Sequence, residues 1–337
     1  MTILTKGVFI MKKALSLILA LILCLGGCLA LTSCNSTDAD DGKYQIGIVQ
    51  LMEHPALDLA TEGFKQAIID ELGEDAVTFL FRNGQNDANT CSTIVNQFVS
   101  NKVDLIMANA TPALQAAAAA TDTIPILGTS VTEYGVALNL KDFNGTVGGN
   151  ISGTSDLAPL KKQAAMILEW FPNAQTVGLL YCSKEANSQY QVDVVKAELE
   201  GEGVTAVPYP FTDSNDLAQI CTTAAENCDV IYVPTDNTAA ENTGIIDNIC
   251  EPAKVPVIAG EEGICSGCGV ATLSISYYDL GYATGKMAVN ILRDGADIST
   301  LPIGYAETQT PKYNAQNCDA LDITPLEGYV AIGEDAE

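Results

Sequence analysis

Asn150-Ile-Ser-Gly-Thr-Ser-Asp156 stands just before the middle of the chain that follows the leader, and Leu157-Ala-Pro-Leu-Lys-Lys-Gln-Ala-Ala-Met-Ile-Leu-Glu-Trp170 follows it directly. The first stretch starts like a short strand, passes a Gly and ends in three small polar side chains. The second carries a helical apolar pattern over 157–170. Thr154, Ser155 or Asp156 would cap that helix and leave free backbone N–H groups at its start, a place suited to a carboxylate or phosphate. The stretch reads as the point where the chain crosses from one lobe to another, with ligand chemistry at the crossing. Taken by itself, it also reads as an ordinary capped helix inside one domain.

The flanking sequence favours the crossing. Upstream, strands are expected at 44–51, 77–81, 103–108 and 124–128, with helices at 60–72, 90–100 and 113–120; 129–149 carries no clear period. Downstream the pattern begins again, with strands at 176–181, 204–209, 229–233, 255–259 and 271–275. Helices are expected there at 189–200, 216–226, 238–249 and 282–293, and a late strand at 303–306. Short apolar strands alternating with ordinary helices are the mark of βαβ units and of parallel sheets covered on both faces. The expected class is therefore α/β, with two similar Rossmann-like lobes. Ligands of open parallel sheets bind beyond the carboxyl ends of the strands. The loops there, at 52–58, 82–89, 109–111, 182–188, 234–237 and 260–263, are rich in Asn, Asp, Ser, Thr and Glu. One such loop is unremarkable; its recurrence after nearly every strand points to a site.

Composition narrows the function. The chain has 337 residues, 47% hydrophobic and 17% charged, which leaves room for two domains of ordinary size. One His and one Trp (Trp170) are present. A single His equips a chain poorly for His-based metal sites or Ser-His-Asp catalysis. No GxGxxG after a strand, P-loop, GxSxG elbow, HExxH or EF-hand loop occurs, so no cofactor or metal is expected. The net charge of −26 repels nucleic-acid phosphates and anionic lipid.

The N-terminus has its own signal. Met11-Lys12-Lys13 precedes an apolar run from Ala14 to Leu25, the layout of an export signal, and the run leads into Leu31-Thr-Ser-Cys34, which looks like a bacterial lipobox. Leu25-Gly-Gly-Cys28 also fits. Cys34 is preferred as the lipidated residue because the chain turns polar immediately after it. An uncleaved membrane-spanning helix over 14–31 is the competing reading. Either way the remainder lies outside the membrane, tethered to it. Eight cysteines follow the anchor, an even set that in an exported protein suggests disulfides, although most sit in apolar patterns where Cys serves as a small core residue. Cys265-Ser-Gly-Cys268 is a lone CxxC, readable as a loop disulfide, two free thiols or a redox pair.

Ile46-Gly-Ile-Val-Gln with Glu53-His-Pro-Ala-Leu-Asp58 resembles the opening of the ABC-transporter substrate-binding lipoproteins of the aromatic amino acid (tryptophan/tyrosine) type. So do Ala110-Thr-Pro-Ala113, Asn150–Asp156, Leu180-Tyr-Cys-Ser-Lys-Glu-Ala-Asn-Ser188, Tyr232-Val-Pro-Thr-Asp-Asn237, Glu261-Glu-Gly263 and Tyr277-Tyr-Asp-Leu-Gly281, all in the expected order over about 44–310. The resemblance implies a type I periplasmic-binding-protein fold, whose two lobes are joined by three crossovers and close on a ligand. The second and third crossings would fall near 274–278 and 301–305. The expected layout is a signal peptide with lipobox over 1–33, a tether over 34–43, lobe 1 over 44–151 and 275–303, and lobe 2 over 152–274 and 304–337.

On this reading the protein is an extracytoplasmic lipoprotein that captures an amino acid, expected to be aromatic, and hands it to an ABC permease. Thr154 and Ser155, with the helix-start N–H groups, would hold the α-carboxylate. Asn187 and Ser188 would assist, and Asp236 would pair with the α-ammonium beside Asn237. Tyr277, Tyr278 or the His54–Pro55 loop would flank the ring; core or hinge packing explains the two tyrosines equally well. Thr111 and Glu261 complete the strand-end set. No catalytic residue is expected. Two other readings stand beside this one: a ligand-sensing or adhesive surface protein of the same fold, and an exported thiol oxidoreductase using Cys265 and Cys268.

Overall fold

A computed structural model describes residues 42–334. The leader, both lipobox cysteines (Cys28 and Cys34) and nearly all of the tether lie outside the described residues. No helix among the described residues is long and apolar enough to cross a membrane.

Ile46 and Ile48 point to one side of the first strand and Val49 to the other, and all three are fully buried. A strand apolar on both faces must be covered on both, and it is. The first sheet contains β1 (Tyr44–Gln50), β2 (Val77–Asn83), β3 (Leu105–Asn109), β4 (Ile126–Thr129) and β5 (Ile151–Ser155). The second contains β6 (Thr176–Cys182), β7 (Thr205–Phe211), β8 (Val230–Val233), β9 (Val257–Ala259) and β10 (Ala271–Ser274). The chain then returns to the first sheet with β11 (Gly304–Tyr305) and to the second with β12 (Thr310–Tyr313) and β13 (Val330–Ala331). The strand orders are β11-β5-β4-β3-β1-β2 and β13-β12-β10-β9-β8-β6-β7. Every pairing is parallel except that of β10 with β12.

The helices between them are α1 (Pro55–Leu72), α2 (Ala88–Asn101), α3 (Thr111–Ala120), α4 (Tyr134–Ala137), α5 (Leu160–Trp170) and α6 (Ala186–Gly201). After these come α7 (Ser214–Asn227), α8 (Asn237–Glu241), α9 (Thr243–Ala253), α10 (Glu262–Cys268), α11 (Tyr277–Leu292) and α12 (Ala315–Ala320). In the first lobe Phe98 and Leu114 cover the Val49 face, while Phe64 and Val289 cover the Ile46–Ile48 face. The second lobe repeats the arrangement. Ile167, Val192 and Val195 pack on Val177 and Leu179, and Leu217, Cys221 and Ile246 pack on Leu180 and Cys182. Burying each of the larger side chains contributes roughly 1.5–3 kcal/mol.

The chain passes between the sheets after β5, after β10 and after β11. The expected crossing at 150–156 and the one near 274–278 fall at two of these places. The third follows Tyr305, which still pairs with Ser155 in the first sheet, so it lies just beyond the expected 301–305. Sheet membership also shifts the expected lobe boundaries. Residues 152–155 continue β5, with 152–153 paired to β4 and 154–155 to Gly304–Tyr305, so both segments lie in the first sheet.

Of the helix starts that differ from expectation, three have a clear local cause. The α1 helix starts at Pro55, not 60, because Pro fits the first helical turn, where its missing N–H is no loss. The α11 helix starts at Tyr277, not 282, capped by Ser276 Oγ accepting from Asp279 N at 3.1 Å. Gly281 does not break it. A Cβ there would stand 1.9 Å from Ala60 O, so the glycine is what lets α11 lie directly against α1. The α5 helix starts at Leu160, not 157, because Pro159 holds the N-cap in an extended conformation with no side-chain cap.

Candidate functional site

The carboxyl ends of β1, β4, β5, β6, β8 and β9 converge on a narrow cavity. His54, Leu57, Ser130, Thr132, Asp156 and Tyr277 line it from the first sheet's elements. Asn187, Thr235, Asp236, Asn237, Ala240 and Glu261 line it from the second. The enclosed space is about 10 Å³, room for about one water, so a larger ligand requires the walls to part. Its wall carries three carboxyl groups and no Lys or Arg.

The second lobe's contribution is a hydrogen-bond network closed at all but one atom. Asp236 caps the start of α8, with Oδ1 accepting from Ala239 N at 2.8 Å and Oδ2 from Cys182 N at 2.7 Å. Glu185 accepts from Asn237 N (3.0 Å), Asn237 Nδ2 (2.7 Å), Thr238 N (2.9 Å) and Thr238 Oγ1 (2.8 Å). Glu261 caps α10, accepting from Gly263 N at 2.6 Å and from Ile264 N. Buried helix N-termini need such acceptors, since their first N–H groups have no partner within the helix. Asn187 donates to Thr235 O at 3.1 Å, and its Oδ1 is buried with no hydrogen-bond partner.

The first lobe is less complete. Tyr277 donates to Asp156 Oδ2 at 2.9 Å, while Asp156 Oδ1 is buried and makes no regular hydrogen bond, although the Thr132 hydroxyl lies beside it. Ser130 Oγ is likewise buried and unpartnered, on a backbone held at φ +53. Buried polar atoms without partners are rare in folded proteins. Three of them, Ser130 Oγ, Asp156 Oδ1 and Asn187 Oδ1, belong to residues lining one cavity.

Burial governs the charges. It raises the Asp156 carboxyl above its ordinary value, against the hydrogen bond from Tyr277 and the nearby Thr132 hydroxyl. It raises Asp236, helped by the nearby charge of Glu185. It lifts Glu261 to about 7, against the N–H groups of Gly263 and Ile264. His54 is lowered by burial, partly offset by a hydrogen bond with Asn237 and by Asp58 and Glu185. A wall of carboxyls that resist ionising is poised for a cation that would share their charge.

Of the residues expected from sequence, His54, Asn187, Asp236, Asn237, Glu261 and Tyr277 line the cavity together. The others do not. Thr154 is spent inside the first lobe, where its hydroxyl meets Thr284 Oγ1 at 2.7 Å. Ser155 Oγ donates to Thr132 O at 2.7 Å and accepts from Leu157 N. Because α5 starts only at Leu160, neither residue caps it, and the expected helix-start carboxylate site is not formed at 154–156. Ser188 lies fully buried beneath Asn187 and Asp236. Thr111 opens α3 within the core, and Tyr278 stacks on Tyr282 in a wider neighbouring groove. Sequence reasoning passed over Ser130, Thr132 and Thr235, and treated Asp156 only as a helix cap. The signal for Ser130 and Thr132 was their place directly after β4.

The CxxC pair does not have the chemistry of a redox site. Cys265 and Cys268 are buried, and burial raises both thiols well above the ordinary 9.0, whereas reactive thiols are exposed and acidic.

Residues 45–331 match the family described as ABC transporter substrate binding protein. A tyrosine-binding protein of Clostridioides difficile (strain R20291) is 35% identical over 343 residues, covering 97% of this chain and 98% of that protein. An ABC domain from Streptococcus pneumonia, solved in complex with L-Trp, is 33% identical with a TM-score of 0.81, covering 86% of this chain and 99% of that one. A substrate-binding protein with adhesive properties from Clostridium difficile, solved ligand-free and open, is 37% identical over the same shares, with a TM-score of 0.67.

Proposed function

The chain belongs to the ABC transporter substrate-binding proteins, and we propose that it captures an amino acid with an aromatic side chain between its lobes for delivery to an ABC permease. The observation that carries the proposal is the convergence of the three unpartnered atoms on one cavity with no basic residue in its wall. Asp156 Oδ1 and Asn187 Oδ1 are acceptors for an α-ammonium. The Ser130 and Thr132 hydroxyls are donors for the α-carboxylate, which meets no Lys or Arg. Phosphorylated and dianionic ligands are disfavoured there by Asp156, Asp236 and Glu261. Leu57, Ala240, Tyr277 and the His54 ring supply apolar and aromatic surface for a side chain.

Asp156, not Asp236, is assigned to the ammonium, since both Asp236 oxygens already accept backbone N–H groups. The lobes stand closed. The chain superposes better on the L-Trp complex (0.81) than on the open, ligand-free relative (0.67), although its identity to the latter is higher. An N-terminal lipid at Cys34 would keep the protein at the membrane beside its permease. The adhesive relative supports a second role at the cell surface for the same fold.

A thermal-shift panel of the twenty amino acids, sugars and purines tests the reading. A ligand at a hundred times its dissociation constant stabilises by about 2.7 kcal/mol. Tyrosine, tryptophan or phenylalanine should give the largest shift. A panel in which no amino acid shifts the transition refutes the proposal.

A further inference from the structure

We propose that Cys221 and Cys250 are a disulfide site that locks α7 to α9 in the second lobe. The eight cysteines among the described residues are all free thiols and all buried. Four of them give their S–H to an oxygen: Cys182 to Thr212 O, Cys228 to Tyr209 Oη, Cys268 to Ile264 O and Cys318 to Val270 O. Among the described residues only Cys221 and Cys250 meet another sulfur, at 3.6 Å. Both lie at the α7–α9 contact in the core cluster with Leu217, Ile246 and Val255. Closing the gap to a bond of about 2.04 Å needs an approach of about 1.5 Å, shared by two side chains and two helices.

Proteins of this family work outside the cytoplasm, where disulfides persist. The oxidant required is an external disulfide, of a small thiol compound or of a thiol-exchange protein. The first thiolate attacks that disulfide and expels one thiol, and the second attacks the mixed disulfide and expels the other. Two protein S–H bonds and one external S–S bond become one protein S–S bond and two external S–H bonds. Cys221 and Cys250 are 0% and 2% exposed, so the exchange belongs to the folding chain rather than to the finished fold. For the same reason the bond should resist reductant until the protein is unfolded. The site belongs to the core cluster that holds Val233 and Ala259, not to the cavity wall, and it stands whether or not an amino acid binds there.

The test is differential alkylation of the full chain, exported from a bacterial host and purified without reductant. Thiols are blocked with one reagent in denaturant, then reduced and labelled with a second. Tryptic cleavage leaves Cys221 and Cys250 on one peptide, so a protease cutting after Glu226 and Glu241 is used. Both residues should carry the second label, and should lose it when reductant is added with denaturant but not in buffer alone. Protein reduced in denaturant and refolded should unfold roughly 5–10 °C below the oxidised form. In Cys221→Ala, Cys250 should carry the first label, and reductant should leave the unfolding temperature unchanged. First label on both residues of the parent protein, or second label on Cys250 in Cys221→Ala, overturns the assignment.

Discussion

The two rims of the cleft use the same residue types for opposite ends. On the second lobe, Glu185, Asp236 and Glu261 spend their oxygens on backbone N–H groups at the starts of α8 and α10. On the first lobe, Asp156 Oδ1 and Ser130 Oγ are left over. The second rim is therefore largely built without a ligand, with Asn187 Oδ1 its one spare atom in the cavity wall, whereas the first keeps two spare atoms for the proposed ligand. A carboxylate at a strand end is not a ligand contact by virtue of position; what its oxygens already hold decides.

The comparison can be broken most severely at Glu185. Glu185→Ala strips four hydrogen bonds from the start of α8 and leaves buried N–H groups bare. Denaturant unfolding should show a loss of about 3–5 kcal/mol, with ligand affinity falling as well. Asp156→Asn should do the reverse. Calorimetry should show affinity reduced at least 100-fold, about 3 kcal/mol, while the unliganded unfolding temperature holds or rises, because a buried carboxyl has been made neutral. Unchanged affinity would return the ammonium to Asp236.

Acidity separates the rims next. The Glu261 carboxyl has an ordinary value of 4.5 and lies at about 7 in the fold. Below 4.5 it is protonated folded or unfolded and costs nothing. Between 4.5 and about 7 the unfolded chain loses the proton first, so stability falls as pH rises, and above that window the cost is constant. The whole effect is at most about 3 kcal/mol. Glu261→Gln should flatten the decline in a pH series of urea melts, and an equally steep slope in the variant would assign it elsewhere. The smallest effect is expected at Ser130→Ala, an affinity loss of about tenfold at unchanged stability, since the hydroxyl has no partner within the protein.

The fold was legible because its strands are buried on both faces. Ile46-Gly-Ile-Val49 and Val177-Gly-Leu-Leu180 read as continuous apolar runs, and turns at regular spacing separated them. Half of the site was legible for a related reason: polar loops after such strands must gather at one edge. His54, Asn187, Asp236, Asn237, Glu261 and Tyr277 do gather there. Thr154 and Ser155 misled because Pro159 delays the helix by one turn, which an apolar pattern does not reveal. Ser130 and Thr132 lie in the aperiodic stretch 129–149, where no strand or helix rule applies. The distinction between a spent and a spare carboxylate was out of reach, because Cys182 N, the donor that occupies Asp236, lies 54 residues away in sequence.

The three passages between the sheets have a consequence for biogenesis. Neither half is written in one continuous piece: the first sheet waits for β11, and the second for β12 and β13. A polypeptide emerging amino end first holds β5 as a bare edge until Gly304 and Tyr305 arrive to pair with Thr154 and Ser155, about 150 residues later. Translation halted before that point would leave a sticky intermediate, so for this protein the risk of misassembly ends only when nearly all of the chain has been delivered.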